Sequence, residues 1–165
     1  MQQYTASLLS LMTNFVTLYR QLADLAKEKT AVLVQGDVGK LEVLLAKETE
    51  LLLAAGKLEK QRVGLLQEWR KDAGWTEENV TTQFVLAQLE EAAKDDIEAQ
   101  TQELKRLIEE LEAANVTNGE LIERALHFIN YSLELLSGHD AGEMTYGASG
   151  HLGHQQGRKI LDQKI

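Results

Sequence analysis

The fold is decided by residues 95–136, which read DDIEAQTQELKRLIEELEAANVTNGELIERALHFINYSLELL. One set of positions recurs along this stretch at alternating intervals of four and three residues: Leu104, Ile108, Leu111, Asn115, Asn118, Ile122, Ala125, Ile129, Ser132 and Leu136. This alternation is the period of a long helix packed lengthwise on other helices, and not of a strand. At about 1.5 Å of rise per residue, the predicted helix extends roughly 60 Å.

Two asparagines, Asn115 and Asn118, lie where this seam should be apolar. One interpretation is that the stripe drifts, so that both side chains face water or mark a kink beside Gly119. The other is a buried or half-buried polar pair that selects the register, because other alignments would leave a buried amide without a hydrogen-bond partner. We predict that both asparagines lie on the packed side of the helix and set its register.

The composition favours long helices in a protein of one domain plus a tail. Among the 165 residues there is no proline and no cysteine, and only 5% are aromatic. Proline is the main helix breaker, and Leu, Ala, Glu, Lys and Gln, which dominate here, are strong helix formers. The lack of cysteine excludes disulfides, thiol nucleophiles and cysteine-based zinc sites.

The charge balance narrows the possible partners. A formal net charge of −9 opposes binding to nucleic acid, which requires clustered Lys and Arg, and opposes adsorption on anionic lipid. No apolar run approaches the roughly 20 residues that span a bilayer. The first residues, Met1-Gln2-Gln3, lack the basic region of a signal peptide. We therefore expect a cytoplasmic protein with no nucleic-acid partner and no membrane insertion.

The first half of the chain predicts two long helices joined by a short turn. The first helix starts within a few residues of Met1 and ends at Gly36, and Asp37 caps a second helix from Val38 to Asp72. The seam of the first helix comprises Leu8, Leu11, Phe15, Leu18, Leu22, Leu25, Lys29 and Val32. The seam of the second comprises Leu41, Leu44, Glu48, Leu51, Ala55, Leu58, Arg62, Leu65 and Trp69.

A third, thinner helix is expected after these two. Gly74 stops the second helix, and Thr76 is a favourable N-cap for a helix that continues to Glu91. Trp75 and Val80 have the spacing of a hydrophobic staple around that cap. This boundary is predicted from three separate signals.

Residues 90–96, which are acidic and rich in alanine, allow a kink, a loop or a continuous helix. We predict a break near Lys94 and Asp95, with Asp95 or Asp96 as the cap of the long helix. That helix is expected to end at Gly138.

The character of the chain changes after Ser137. Six of the twelve glycines lie beyond it, and apolar residues become sparse. Such a segment buries too little surface to offset the entropy of ordering it. The predicted architecture is therefore all-α: an elongated antiparallel helical hairpin or bundle of long coiled-coil-like helices over residues 1–137, with a flexible Gly-rich C-terminal tail over residues 138–165.

No motif predicts catalysis or a cofactor. His151 and His154 have the spacing of a chelating pair, but zinc sites need three or four fixed ligands, and we interpret both as solvated polar residues. No glycine loop precedes a phosphate-binding Lys-Ser or Lys-Thr pair, and the serines are few and scattered. We predict a protein that is not an enzyme and carries neither metal nor cofactor.

Several local patterns together resemble one family, the FlgN-type flagellar export chaperones. They are the first helix ending at Gly36-Asp37, the motif Leu58-Glu59-x-x-Arg62-x-x-Leu65-Leu66, the motif Asn115-x-x-Asn118-x-x-Leu121-Ile122 with an amphipathic run to Leu136, the tail segment Tyr146-Gly147-Ala148-Ser149-Gly150, and the terminal Ile160-Leu161-Asp162-x-Lys164. Each pattern is weak alone, whereas their order, spacing and shared acidity are more specific.

The resemblance implies a chaperone that binds the terminal helices of hook–filament junction proteins, also called hook-associated proteins, and delivers them to the flagellar export apparatus. Family members bind with their C-terminal region, which here is the end of the long helix and the tail. The candidate client-binding residues are Leu121, Ile122, Leu126, Phe128, Ile129, Leu133, Leu135, Leu136, Tyr146, Leu152, Ile160 and Leu161. The alternative is a structural coiled-coil protein whose seams serve self-assembly only, and a homo-oligomer is compatible with either.

Overall fold

The computed structural model describes residues 2–89 and 91–136, with side chains in the last helix from Lys94 onward. Four helices occupy this part of the chain: α1 (Gln2–Gln35), α2 (Val38–Ala73), α3 (Thr82–Leu86) and α4 (Glu91–Leu136). The described residues contain no strand, and the predicted all-α fold of long, hairpin-packed helices is confirmed. The chain divides into two compact units, residues 1–122 and 123–165. The predicted boundary between a helical domain and a tail lies outside the described residues.

The turn between α1 and α2 forms as its sequence predicts. Gly36 adopts φ 69°, a left-handed conformation that costs a glycine little, and so ends α1. The Asp37 carboxylate then accepts a hydrogen bond from the backbone N–H of Lys40 at 3.1 Å and caps α2. This hydrogen bond lowers the pKa of Asp37, because it favours the ionised carboxylate.

Helices α1 and α2 run antiparallel along a seam with one polar pair in it. Near the turn, the Lys29 ammonium donates to both carboxylate oxygens of Glu48, at 2.7 and 2.9 Å. At the other end of the hairpin, the Tyr4 hydroxyl donates to Asp72. Lys29 is the polar member of the predicted α1 seam and Glu48 is one of two in the α2 seam, so each neutralises the other where neither is well solvated.

Helix α4 packs along the other side of α1 and runs parallel to it. Arg20 pairs with Glu103 at 2.8 Å, and Lys27 pairs with Glu110 at 3.0 Å. Beside these ion pairs, Val16 and Ala23 of α1 form an apolar cluster with Leu107 of α4. Helix α1 is therefore central, with α2 on one side and α4 on the other.

The connection after α2 corrects the predicted third helix. Gly74 ends α2 with φ 67°, as expected, but residues 75–81 are not helical, and the N-cap of α3 is Thr81 rather than Thr76. The extended connection lets the Trp75 ring reach the core, where its centroid lies 5.6 Å from that of Trp69 and 5.3 Å from that of Phe84. Aromatic burial of this kind outweighs the modest gain from a good cap.

The predicted break near residues 94–96 is also wrong, because α4 begins at Glu91 and continues through them. Ile97 is completely buried and fixes this first part of α4 against the core. Lys94 and Glu98, one turn apart, pair at 3.6 Å and add a small local stabilisation. Neither Asp95 nor Asp96 is a helix cap.

The main core lies where all four helices meet. Its buried members are Leu8, Met12, Phe15, Leu66, Trp69, Val85, Leu86 and Ile97. Farther along α1 the apolar contacts separate into one cluster with α4 and another with α2, the second built on Leu25, Val32 and Leu44.

Candidate functional site

Helix α4 buries a seam that differs from the predicted one at every second position. Both seams contain Leu104, Leu111 and Asn118. The intervening positions lie one residue earlier than predicted, because Leu107, Ala114 and Leu121 are more buried than the predicted residues. Of the predicted residues, Ile108 is half-buried and Asn115 and Ile122 are exposed. Leu107 is 2% exposed.

Asn118 is the polar residue at the centre of the contact between α1 and α4. Its side chain is buried, and its amide Nδ2 donates to the backbone carbonyl of Ala26 at 3.0 Å. The Thr30 hydroxyl donates to Asn118 Oδ1 at 2.7 Å. The expected packed position is thus confirmed for Asn118 and wrong for Asn115. The register-setting role stays a prediction.

The end of α4 carries most of the candidate client-binding residues. From Ile122 to Leu136 every side chain except Ser132 is exposed, and Leu121 just before them is half-buried. The large apolar side chains here are 42–83% exposed: Ile122, Leu126, Phe128, Ile129, Tyr131, Leu133, Leu135 and Leu136. The other four candidates, Tyr146, Leu152, Ile160 and Leu161, lie outside the described residues.

This apolar surface covers most of the helix circumference. The polar residues are concentrated on one stripe, formed by Glu123, His127, Asn130 and Glu134, which are spaced by four, three and four residues. The remaining surface is apolar apart from Arg124 and Ser132. A helix that is apolar over so much of its surface is normally buried, so exposed surface of this kind indicates a binding site for a partner.

A second exposed apolar stripe lies on α2, and sequence reasoning did not identify it as a surface. Leu45 and Leu52 are 45% and 57% exposed, although they share a heptad position with Leu66, which is 2% exposed. Leu66 is covered because it joins the core that contains α3. The sequence contained a signal for this stripe, since all three leucines lie beside the predicted α2 seam. The sequence did not predict that α3 would be as short as five residues.

The charged residues around the α1–α4 contact form ion pairs with one another. Arg106 donates two hydrogen bonds of 2.8 Å to Glu103 and also pairs with Glu110. The hydrogen bonds from Arg106 and then from Arg20 lower the pKa of Glu103 to about 2. A carboxylate held ionised in this way is a poor general acid or base at neutral pH.

Metal-binding clusters and membrane-spanning helices are both absent from the described residues. No group of three or more His, Asp or Glu side chains within residues 2–89 and 94–136 is arranged to hold a metal ion. None of the helices in the described part of the chain is both long enough and apolar enough to cross a membrane.

Within the described residues, fold and surface together define an all-α protein with an exposed apolar helix end. The chain matches the family model described as FlgN protein over residues 1–153, and it belongs to that family. The FlgN family is a family of flagellar export chaperones and not of enzymes.

The chain is similar to a curated bacterial protein. The chain is 28% identical over 119 residues to a protein of Bacillus subtilis (strain 168) called uncharacterized protein YvyG, and the match covers 72% of each chain. No solved structure matches the chain significantly.

Proposed function

We propose that this protein is a cytoplasmic chaperone for hook–filament junction proteins. It binds their terminal helices, keeps these aggregation-prone segments soluble, and delivers them to the flagellar export apparatus. The observation that supports this proposal best is the exposed apolar end of α4 in a chain that belongs to the FlgN family. Residues 1–137 serve as the helical domain, and residues 138–165 contribute to the client site.

The chemistry of the helix end suits capture of an amphipathic helix. Burying an apolar side chain of leucine or phenylalanine size stabilises a complex by about 1.5–3 kcal/mol before the cost of ordering is subtracted. Leu126, Ile129 and Leu133 are each more than half exposed and are therefore available for such burial. If the tail folds on the client, ordering it costs a further few kcal/mol, so a moderate affinity is expected.

The test is calorimetric titration of four chains against the terminal segments of a hook–filament junction protein. A chain truncated after Ser137 and the variant Leu133→Asp should each bind at least about tenfold more weakly than the full chain, which corresponds to about 1.4 kcal/mol. The matched control is Leu53→Asp, because Leu53 is 64% exposed on α2 and distant in sequence from the proposed site. Helix content should be similar in all variants, since the altered side chains are exposed.

The result also decides between the chaperone and a coiled-coil protein that only self-assembles. Undiminished binding by both site variants would place the client site elsewhere and contradict the proposal. A chain that binds no client segment, but whose self-association is lost in Leu133→Asp, would favour the self-assembly alternative. Sedimentation of the free chain and of this variant provides that measurement.

A further inference from the structure

Helix α1 shows how this chain encodes a helix with neighbours on two sides. Packed residues occur along this helix as pairs of sequence neighbours, and the two residues of a pair contact different helices. Lys29 pairs with Glu48 of α2, whereas the next residue, Thr30, donates to Asn118 of α4. Adjacent residues on a helix point about 100° apart, so each pair serves two neighbours.

The same division recurs at a second pair in α1. Leu25 packs with Leu44 of α2, and the Ala26 carbonyl accepts the hydrogen bond from Asn118. Two packed stripes at adjacent positions, here called a doubled seam, are thus the pattern of a helix that lies between two others in this chain.

The middle of α4 shows the contrasting pattern of a helix with one neighbour. Its seam residues there, Leu111, Ala114 and Asn118, are followed by Glu112, Asn115 and Gly119. All three of these following residues are exposed, and none of them carries an apolar side chain. A single seam is what contact with α1 alone requires.

From residue 123 onward, α4 changes to the doubled pattern. The heptad that continues its buried seam falls on Ala125, Phe128, Ser132 and Leu135, and the residue after each of these is Leu126, Ile129, Leu133 and Leu136. The two stripes and Tyr131 cover an arc of roughly 220°, about twice the arc of roughly 100° that an ordinary amphipathic helix buries. One bound helix would leave one of these stripes exposed to water.

We propose that the end of α4 is the central helix of a three-helix assembly, in which one client molecule supplies two amphipathic helices. One client helix packs on the stripe with Phe128 and Leu135, and the other packs on the stripe with Ile129 and Leu133. This inference rests on the proposed chaperone function and specifies its partner as a helix pair. The polar stripe with Glu123 and Asn130 stays in contact with water.

The absence of cysteine from the chain permits a direct test with single-cysteine variants. Phe128→Cys, Ile129→Cys and, as a control on the polar stripe, Asn130→Cys are each labelled with a photoreactive crosslinker. Each is then bound to a full-length hook–filament junction protein, and the crosslinked client residues are mapped by mass spectrometry. The adjacent positions 128 and 129 should crosslink to two different helical segments of the client, and position 130 should crosslink at least about tenfold less.

A second measurement separates this inference from the function on which it rests. Either client helix alone, as a peptide, should bind the full chain at least tenfold more weakly than a segment that contains both. Full affinity for one peptide, or crosslinks from 128 and 129 to the same client helix, would overturn the helix-pair inference and leave the chaperone function intact. Failure of the unmodified chain to bind the client at all would reject both.

Discussion

Polar residues inside the seams find partners across the helix contacts. Lys29 pairs with Glu48 between α1 and α2, and Asn118 pairs with Ala26 and Thr30 between α1 and α4. A buried polar group without a partner costs about 1–3 kcal/mol, so a shifted alignment of either contact is penalised. We therefore predict that these residues favour one alignment of the helices.

Replacing Asn118 by Leu tests this register-setting role. The substitution leaves Thr30 with a partner, because its hydroxyl can then donate to the Ala26 carbonyl, which lies 3.1 Å away. Helix content should therefore be unchanged and the melting temperature equal or higher, while self-association increases because an all-apolar seam tolerates other pairings.

Circular dichroism and analytical ultracentrifugation are the measurements, and Asn115→Leu is the matched control. Asn115 is exposed one turn away, so its replacement should alter the melting temperature by little. Marked destabilisation of Asn118→Leu with no change in oligomeric state would show that Asn118 acts in stability alone.

At the scale of helices, local signals predicted boundaries well only where no tertiary contact competed with them. Gly36, Asp37 and Gly74 act as the sequence predicts, since each serves its own turn. The N-cap at Thr76 was wrong because Trp75 is drawn into the core, and such a contact leaves no local signature. The break near Lys94 was wrong for the same reason, because burial of Ile97 maintains the helix there.

The exposure of the apolar end of α4 was easier to predict than the seam that leads to it. The exposed apolar end of α4 follows from an excess of apolar residues over what one seam can bury. The choice between Leu107 and Ile108 does not follow from the sequence, since either preserves a regular alternation of threes and fours. Only the position of α1, fixed by Val16 and Ala23, decides that Leu107 is buried.

Replacement by Ala should change the free energy of unfolding in opposite directions at Gly56, within α2, and at Gly74, directly after α2. A Cβ at Gly56, in the interior of the helix, would meet no atom within 4 Å, so Gly56→Ala should raise the free energy of unfolding by about 0.5–1 kcal/mol. Gly74 has φ 67°, so Gly74→Ala should lower it by about 1 kcal/mol. Urea unfolding of both variants measures the difference, and two shifts of the same sign would contradict this account.

At the scale of the whole molecule, the carboxylates with lowered pKa make stability depend on pH. The pKa of Glu103 is about 2 in the folded chain against an ordinary value of 4.5, and Lys27 lowers the pKa of Glu110. As the pH falls below about 4.5, the unfolded chain therefore binds protons that the folded chain does not. The stabilisation is fully present above that pH and is lost progressively towards pH 2.

We accordingly expect the urea midpoint to fall as the pH is lowered from about 5 to 2.5, and to fall less steeply in Glu103→Gln. Both carboxylates are at the protein surface, so the effect should be modest and should shrink as salt is added. Glu134→Gln, at the exposed end of α4, serves as the control. Identical slopes for the parent chain and Glu103→Gln would disprove the role of Glu103.

The central position of α1 has a consequence for synthesis of the chain on the ribosome. Helix α1 meets α2 directly after the turn, whereas its partners on α4, such as the Glu103 that pairs with Arg20, follow 83 residues later. At about 5–20 residues per second, roughly 4–17 s pass before these residues are made. Until α4 is made, Val16 and Ala23 lack the apolar partner that α4 provides, so the protein begins its existence with an uncovered apolar face of its own.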